Sequence, residues 1–179
     1  MKKEYMLKRR ISIYFKKEQL EKDVSFIRLK QPFLKKARKN FALAAFLMDI
    51  SNKDDFKEML SMPSDFEAYD WVVIIAYYSM YVSALAALAN ISFKSRSHAA
   101  TLAVLEHAYV LKKKLDAKHL HSLSNAYSLS EAMITKLAQA KTNRESAQYD
   151  ATPAIARQNA LSAFADADEF ITKVEGLLQ

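Results

Sequence analysis

Residues 70–94 have the sequence DWVVIIAYYSMYVSALAALANISFK, and the 23 residues between Asp70 and Lys94 carry no charge. A helix without charge on any side is typical of a buried core helix or a membrane span. This segment is long enough to cross a bilayer. It also carries tyrosine, serine and asparagine side chains, whose polar groups need hydrogen-bonding partners in hydrocarbon. We therefore expect a core helix from about Trp71 to Phe93, and no membrane contact.

Two opposite stripes of side chains run along this predicted helix. One consists of Trp71, Ile75, Tyr78, Val82, Leu85 and Ala89, and the other of Val73, Ala76, Met80, Ser83 and Ala87. Several members of the second stripe are small, which allows another helix to approach closely. A bundle of this size does not usually bury one helix on all sides by itself. The pattern therefore predicts a second covering surface, most simply another copy of the chain in an isologous homodimer.

The rest of the chain also favours helices. Helical spacing of apolar residues predicts further helices at about 33–50, 54–61, 97–115 and 118–149, and a last one that begins at Pro153. The single glycine, Gly176, argues against a β-rich fold. We expect an all-α, up-and-down helical bundle over residues 32–179.

The 179-residue chain has no cysteine, which excludes disulfides, thiol nucleophiles and cysteine-ligated zinc. The N-terminus, MKKEYMLKRR, lacks the apolar stretch of a signal peptide. Both features are typical of a soluble, cytoplasmic protein, which is our expectation here.

The positive charge is concentrated at the N-terminus. Residues 1–39 hold 14 Lys and Arg against 4 Asp and Glu, whereas the remaining residues hold 13 against 16. We expect a basic N-terminal extension over residues 1–31, with one or two short helices and an extended piece near 24–30. Such a block attracts nucleic acid, an anionic membrane or an acidic partner, and the alternative is a solvated basic helical face.

The stretch DWVVIIAYYSMYVSALAALANISFKSRSHAATLAVLEHAYV, residues 70–110, resembles the archaeal branch of the HEPN domain family. The resemblance rests on the aromatic motif AYYSMY at 76–81, the basic turn Lys94-Ser95-Arg96 and the pair Ser97-His98. Two more pieces agree, namely LKKARKNFALAAFLMD at 34–49 and RESAQYD at 144–150. The resemblance implies a helical bundle that dimerises through its central helices.

The resemblance also implies two kinds of function. HEPN proteins include endoribonuclease toxins, often paired with a nucleotidyltransferase antitoxin, and non-catalytic members that bind nucleotides or RNA. The nuclease members carry an arginine followed, after four to six residues, by a histidine. Here Arg96 precedes His98 by only two positions, and Tyr149 occupies the corresponding place after Arg144. We therefore assign no catalytic residue.

Five residues are candidates for binding a nucleic acid or a nucleotide: Arg96, His98, Arg144, Gln148 and Tyr149. Arginine and a helix start attract phosphate, and a tyrosine can stack on a base. The alternative for the first pair is that Ser97 caps a helix while His98 makes a structural hydrogen bond. The alternative for the second group is a network that ties two helices together.

Two other groups of residues have simpler interpretations. Tyr77, Tyr78 and Tyr81 are expected, with Trp71, in core or dimer packing. His119 and His121 diverge by about 200° on a helix, so we expect no metal site and no cofactor.

Three functional hypotheses follow. The first is a HEPN-like dimer that binds RNA or a nucleotide, as part of a toxin–antitoxin or nucleotidyltransferase-linked system. The second is a metal-independent endoribonuclease, in which a histidine moves the 2′-hydroxyl proton and an arginine stabilises the phosphorane. The third is a protein-interaction module without a nucleic-acid role, such as the partner of a nucleotidyltransferase.

Overall fold

The computed structural model describes residues 2–142 and 153–179 of the chain. Within them the chain forms seven α-helices and one two-stranded sheet: α1 Lys2–Lys16, β1 Leu20–Lys22, a 3-10 helix Val24–Leu29, α2 Lys30–Asn52, α3 Asp54–Met59, α4 Tyr69–Asn90, β2 Phe93–Ser95, α5 His98–Leu105, a π-helical turn Glu106–Val110, α6 Ala117–Thr142 and α7 Pro153–Leu177. The predicted all-α helical bundle is confirmed.

The uncharged segment forms the central helix, α4, which packs against α2, α7, α6 and α5. By length and composition alone α4 could cross a membrane, but 78% of its most apolar window is buried inside the fold. This burial is typical of a core helix. Two residues of one predicted stripe are open in the single chain, since Trp71 is 53% and Tyr78 45% exposed.

Three differences from the predicted helix boundaries stand out. The central helix runs over Tyr69–Asn90 and not to Phe93, which lies in β2. α2 begins at Lys30, so Pro32 lies in its first turn, where a missing N–H breaks no intrahelical hydrogen bond. The helix predicted over 97–115 stops being regular at Leu105 and continues as a π-helical turn, in which the Leu111 N–H donates to the Glu106 carbonyl at 2.9 Å. This turn carries Tyr109, whose hydroxyl donates to the buried Ala87 carbonyl of α4 at 2.7 Å.

The N-terminal region differs in two ways from its prediction. A 15-residue helix, α1, occupies most of it, and the piece expected to be extended near 24–30 is a 3-10 helix. Leu7 of α1 and Leu20 of β1 are both buried. β1 pairs with β2 in antiparallel register, Leu20 opposite Ser95, and α1 packs against α5. Residues 2–29 therefore contribute to the same folded body as the bundle.

Candidate functional site

Five aromatic side chains meet where α4, α5 and α6 come together. This tyrosine–histidine cluster consists of Tyr77, Tyr78, Tyr81, His98 and Tyr127. Tyr77 is its centre, with ring centroids 5.2 Å from Tyr78, 5.8 Å from Tyr81 and 5.4 Å from Tyr127. These separations are typical of favourable aromatic pairs. The structure thus brings together four residues that the sequence had singled out in two separate motifs.

His98 is held in this cluster by stacking. Its ring lies 4.2 Å from that of Tyr127, at an angle of 14°. Both ring nitrogens are buried and have no hydrogen-bond partner among the described residues. Because this burial disfavours the charged imidazolium, it lowers the pKa of His98 below its usual value. The structural hydrogen bond expected for His98 is therefore not made within the described part of the chain.

Ser97 behaves as the sequence predicts. Its side-chain oxygen accepts from the Ala100 N–H at 3.4 Å and caps the start of α5. The Ser97 carbonyl in turn accepts from the hydroxyls of Ser95 and Thr101, each at 3.0 Å. This network fixes the junction between β2 and α5, and with it the position of His98.

Arg96 lies beside His98 in sequence but in a different environment. Its backbone N–H donates to the Gln19 carbonyl, which ties it to the turn between α1 and β1, and its exposed guanidinium pairs with Glu21 of β1. Lys94 also lies 3.9 Å from a carboxylate oxygen of Glu21. Arg96 and Lys94 thus share the carboxylate of Glu21 on the two-stranded sheet. Among the described residues, Arg96 and His98 therefore have different contact partners.

The remaining candidates, Arg144, Gln148 and Tyr149, lie outside the described residues. Their roles stay predictions.

α1 presents a second basic surface. Arg9, Arg10, Lys16 and Lys17 are all exposed, and none of them forms an ion pair with an acidic residue in the described ranges. Lys3 and Lys8 differ, because they pair with Glu106 and Glu4.

The structure offers weaker alternatives elsewhere. An open groove of about 340 Å³ lies between α2 and the end of α7, but its central cation, Arg38, is already paired with Glu175 and Asp168. His119 is buried, with Nε2 3.4 Å from Glu169, whereas His121 is exposed. Within residues 2–142 and 153–179, no three histidine, aspartate or glutamate side chains are placed to hold a metal ion.

Sequence reasoning missed two contributors to these sites. Glu21 lies in the predicted N-terminal extension, and only the pairing of β1 with β2 places it next to Arg96. Tyr127 lies in the middle of α6, and nothing local to it in the sequence indicates that it stacks on His98. No protein-family model matches the chain, and a search of curated proteins finds no match.

Proposed function

We propose that this protein is a HEPN-like homodimer that binds RNA or a nucleotide. The observation that carries the proposal is the charge distribution: the basic N-terminal block is presented on the surface, with four cations on and just beyond α1 that have no acidic partner among the described residues. A cluster of lysine and arginine without acidic partners attracts phosphate by a sequence-independent, salt-sensitive force. The motifs of residues 70–110 support the same proposal through their resemblance to HEPN proteins.

The dimer is supported by the exposed stripe of α4. Trp71 and Tyr78 are about half exposed and Ile75 and Leu85 are partly exposed, so the stripe shows solvent an uncharged, largely apolar surface. Exposed apolar patches of this kind mark interaction sites. Because the stripe carries no charge, two copies can face each other across it without burying an unpaired ion.

The endoribonuclease alternative receives less support from the described residues. It needs a proton-transfer group and a cation close to one phosphate. Arg96 is paired with Glu21, while His98 is stacked in the tyrosine cluster with a lowered pKa. We therefore propose binding rather than cleavage. A nucleotidyltransferase partner and a cytoplasmic location complete the proposal.

RNA binding is tested by fluorescence anisotropy with a labelled single-stranded 12-mer. We expect binding at 50 mM salt that weakens steeply as salt rises, because each neutralised phosphate releases counterions. No binding at 50 mM, or binding that ignores salt, contradicts the proposal.

The dimer is tested by analytical ultracentrifugation. We expect a dimer for the wild-type chain and a monomer for Trp71→Glu combined with Tyr78→Glu, because each change places a charge on the interface. Leu161→Glu is the matched control, since Leu161 is an exposed apolar residue on α7. A wild-type monomer, or equal effects of the interface and control variants, argues against this interface.

A further inference from the structure

The outward side of α1 has a regular arrangement of cations. Leu7 is buried and Ile11 partly buried, so they define the side that faces the protein. Arg9 lies two residues from each, which places it about 160° away around a helix of 3.6 residues per turn. Arg9 is therefore on the outermost line of α1. Lys16, seven residues further on, falls on almost the same line.

A second row lies about 100° around the helix from the first. Arg10 and Lys17 are also seven residues apart, and the Lys17 N–H still donates to the Ile13 carbonyl in helical fashion at 3.0 Å. The cations thus form two pairs of sequence neighbours, Arg9 with Arg10 and Lys16 with Lys17. At 1.5 Å per residue, the pairs are about 10.5 Å apart along the helix axis.

Apolar side chains flank the outermost line. Tyr5 is 67% exposed and Ile13 is exposed as well. They lie four residues before and after Arg9, so each is about 40° from it, on opposite sides. The face therefore alternates cations with exposed apolar groups, one of which is an aromatic ring.

We propose that this outward face of α1 is a track for single-stranded RNA. This inference rests on the proposed function and names the class of its ligand. The cation pairs would contact phosphates about three nucleotides apart, at the ~3.4 Å rise per nucleotide of a stacked strand. Tyr5 would stack on an unpaired base, as exposed aromatic rings do in single-strand binding sites.

The arrangement favours a strand over the other anionic ligands. A mononucleotide spans only one of the two cation pairs, so it leaves the other unused. A helix that lies in a lipid surface inserts one continuous apolar face and keeps its cations at the border or opposite. In α1 the apolar side packs on the protein, and a cation occupies the outermost line instead.

The test compares two variants with the same loss of charge. The track variant is R9Q/R10Q/K16Q/K17Q, and the control is K35Q/K36Q/K39Q/K173Q, which removes four exposed lysines from α2 and α7. Glutamine has a helix propensity close to that of lysine and arginine, so both variants keep their helices. Binding is measured with a labelled, unpaired RNA 12-mer between 50 and 300 mM salt. Its duplex, a free mononucleotide and vesicles containing phosphatidylserine are measured in parallel.

We expect the track variant to bind the 12-mer at least tenfold more weakly at 100 mM salt. The slope of log affinity against log salt should fall by about 3, since each single-strand phosphate contact contributes about 0.7. The control should change the slope by less than 1. Tyr5→Leu should weaken binding about 5- to 150-fold without changing the slope, because it removes stacking and no charge.

The outcomes separate this inference from the proposed function. If the wild-type chain binds no RNA at 50 mM salt, both fail. If it binds RNA and the two variants lose affinity equally, the proposed function stands and the track on α1 is overturned. Stronger binding to the duplex or to the vesicles, or full displacement of the 12-mer by the mononucleotide at equal phosphate concentration, also overturns the single-strand track.

Discussion

The imidazole of His98 lies nearly parallel to the phenol ring of Tyr127, with the ring centroids 4.2 Å apart. This contact joins the first residue of α5 to the middle of α6. Around it lie Tyr77 and Tyr81 of α4, so the stack connects three helices of the bundle. The histidine is therefore part of the packing, and its ionisation should affect stability.

We expect the protein to lose stability as the pH falls from about 7 through 6.5. The folded-state pKa of His98 is lowered by burial, whereas an unfolded histidine titrates near 6.5. Below that pH the unfolded chain binds a proton that the folded chain does not, so the free energy of unfolding falls until the pH passes the folded-state pKa. For one proton the slope is at most about 1.4 kcal/mol per pH unit.

Urea denaturation at several pH values measures this slope. His98→Phe should remove the contribution of His98 to the slope. His121→Gln, a change at an exposed histidine, should leave that contribution in place. An unchanged slope in His98→Phe would contradict this role for His98.

Replacing Arg38, whose guanidinium group contacts two acidic residues, by lysine should destabilise the protein. Its Nε and Nη2 atoms donate to the two carboxylate oxygens of Glu175 at 2.8 and 2.6 Å, and Nη1 contacts Asp168 at 3.1 Å. Lysine cannot form this bidentate contact between α2 and α7. Because the pair is partly exposed, we expect Arg38→Lys to cost only about 1 kcal/mol in urea denaturation. Arg28→Lys, at an exposed arginine, is the control, and an equal effect there would be evidence against the prediction.

The same pair predicts acid sensitivity. The hydrogen bonds from Arg38 lower the pKa of the Glu175 carboxyl. Its contribution is therefore complete above the unfolded value of about 4.3 and is lost as the pH falls through the folded-state pKa. In Arg38→Lys the loss of stability between pH 5 and 3 should be smaller than in wild type, and identical acid curves would refute the prediction.

Replacing Lys113 by glycine should stabilise the protein. Its φ is 57°, a left-handed conformation that ends the helical segment, and the Lys114 N–H donates back to the Tyr109 carbonyl at 2.9 Å. The β-carbon disfavours this conformation, so Lys113→Gly should gain about 0.5 to 1 kcal/mol in thermal or urea denaturation. Lys113→Ala removes the same charge but keeps the β-carbon, and should gain nothing. Equal gains in the two variants would show that charge, and not backbone conformation, is responsible.

The Glu21 carboxylate should weaken RNA binding under the proposed function. It is paired with Arg96 and lies near Lys94, so it neutralises cations that could otherwise contact phosphate. We expect Glu21→Gln to tighten RNA binding about two- to threefold at 50 mM salt and to steepen the salt dependence. Glu58→Gln, an exposed change on α3, should do neither. Weaker binding in Glu21→Gln would argue against a phosphate contact at Arg96.

Local sequence patterns determined the helical architecture of this protein. The absence of charge over residues 71–93 predicted the central helix, since an uncharged helix must be covered, and Ser97 and Pro153 marked helix starts because a side-chain cap and a fixed φ act within one turn. The 15-residue length of α1 was not predicted, where one or two short helices were expected, because its exposed apolar residues share its outer face with cations and so weaken the periodic signal.

The candidate sites depended on tertiary structure. Nothing within a few residues of Arg96 indicates Glu21, which is 75 positions away and is brought there by the antiparallel pairing of β1 and β2. Nothing near His98 indicates Tyr127 on α6. Periodicity shows which side of a helix is apolar, but contacts between distant segments decide which of those side chains are covered. For that reason the exposed Trp71 and Tyr78 and the stacked His98 emerged only from the packing of the helices.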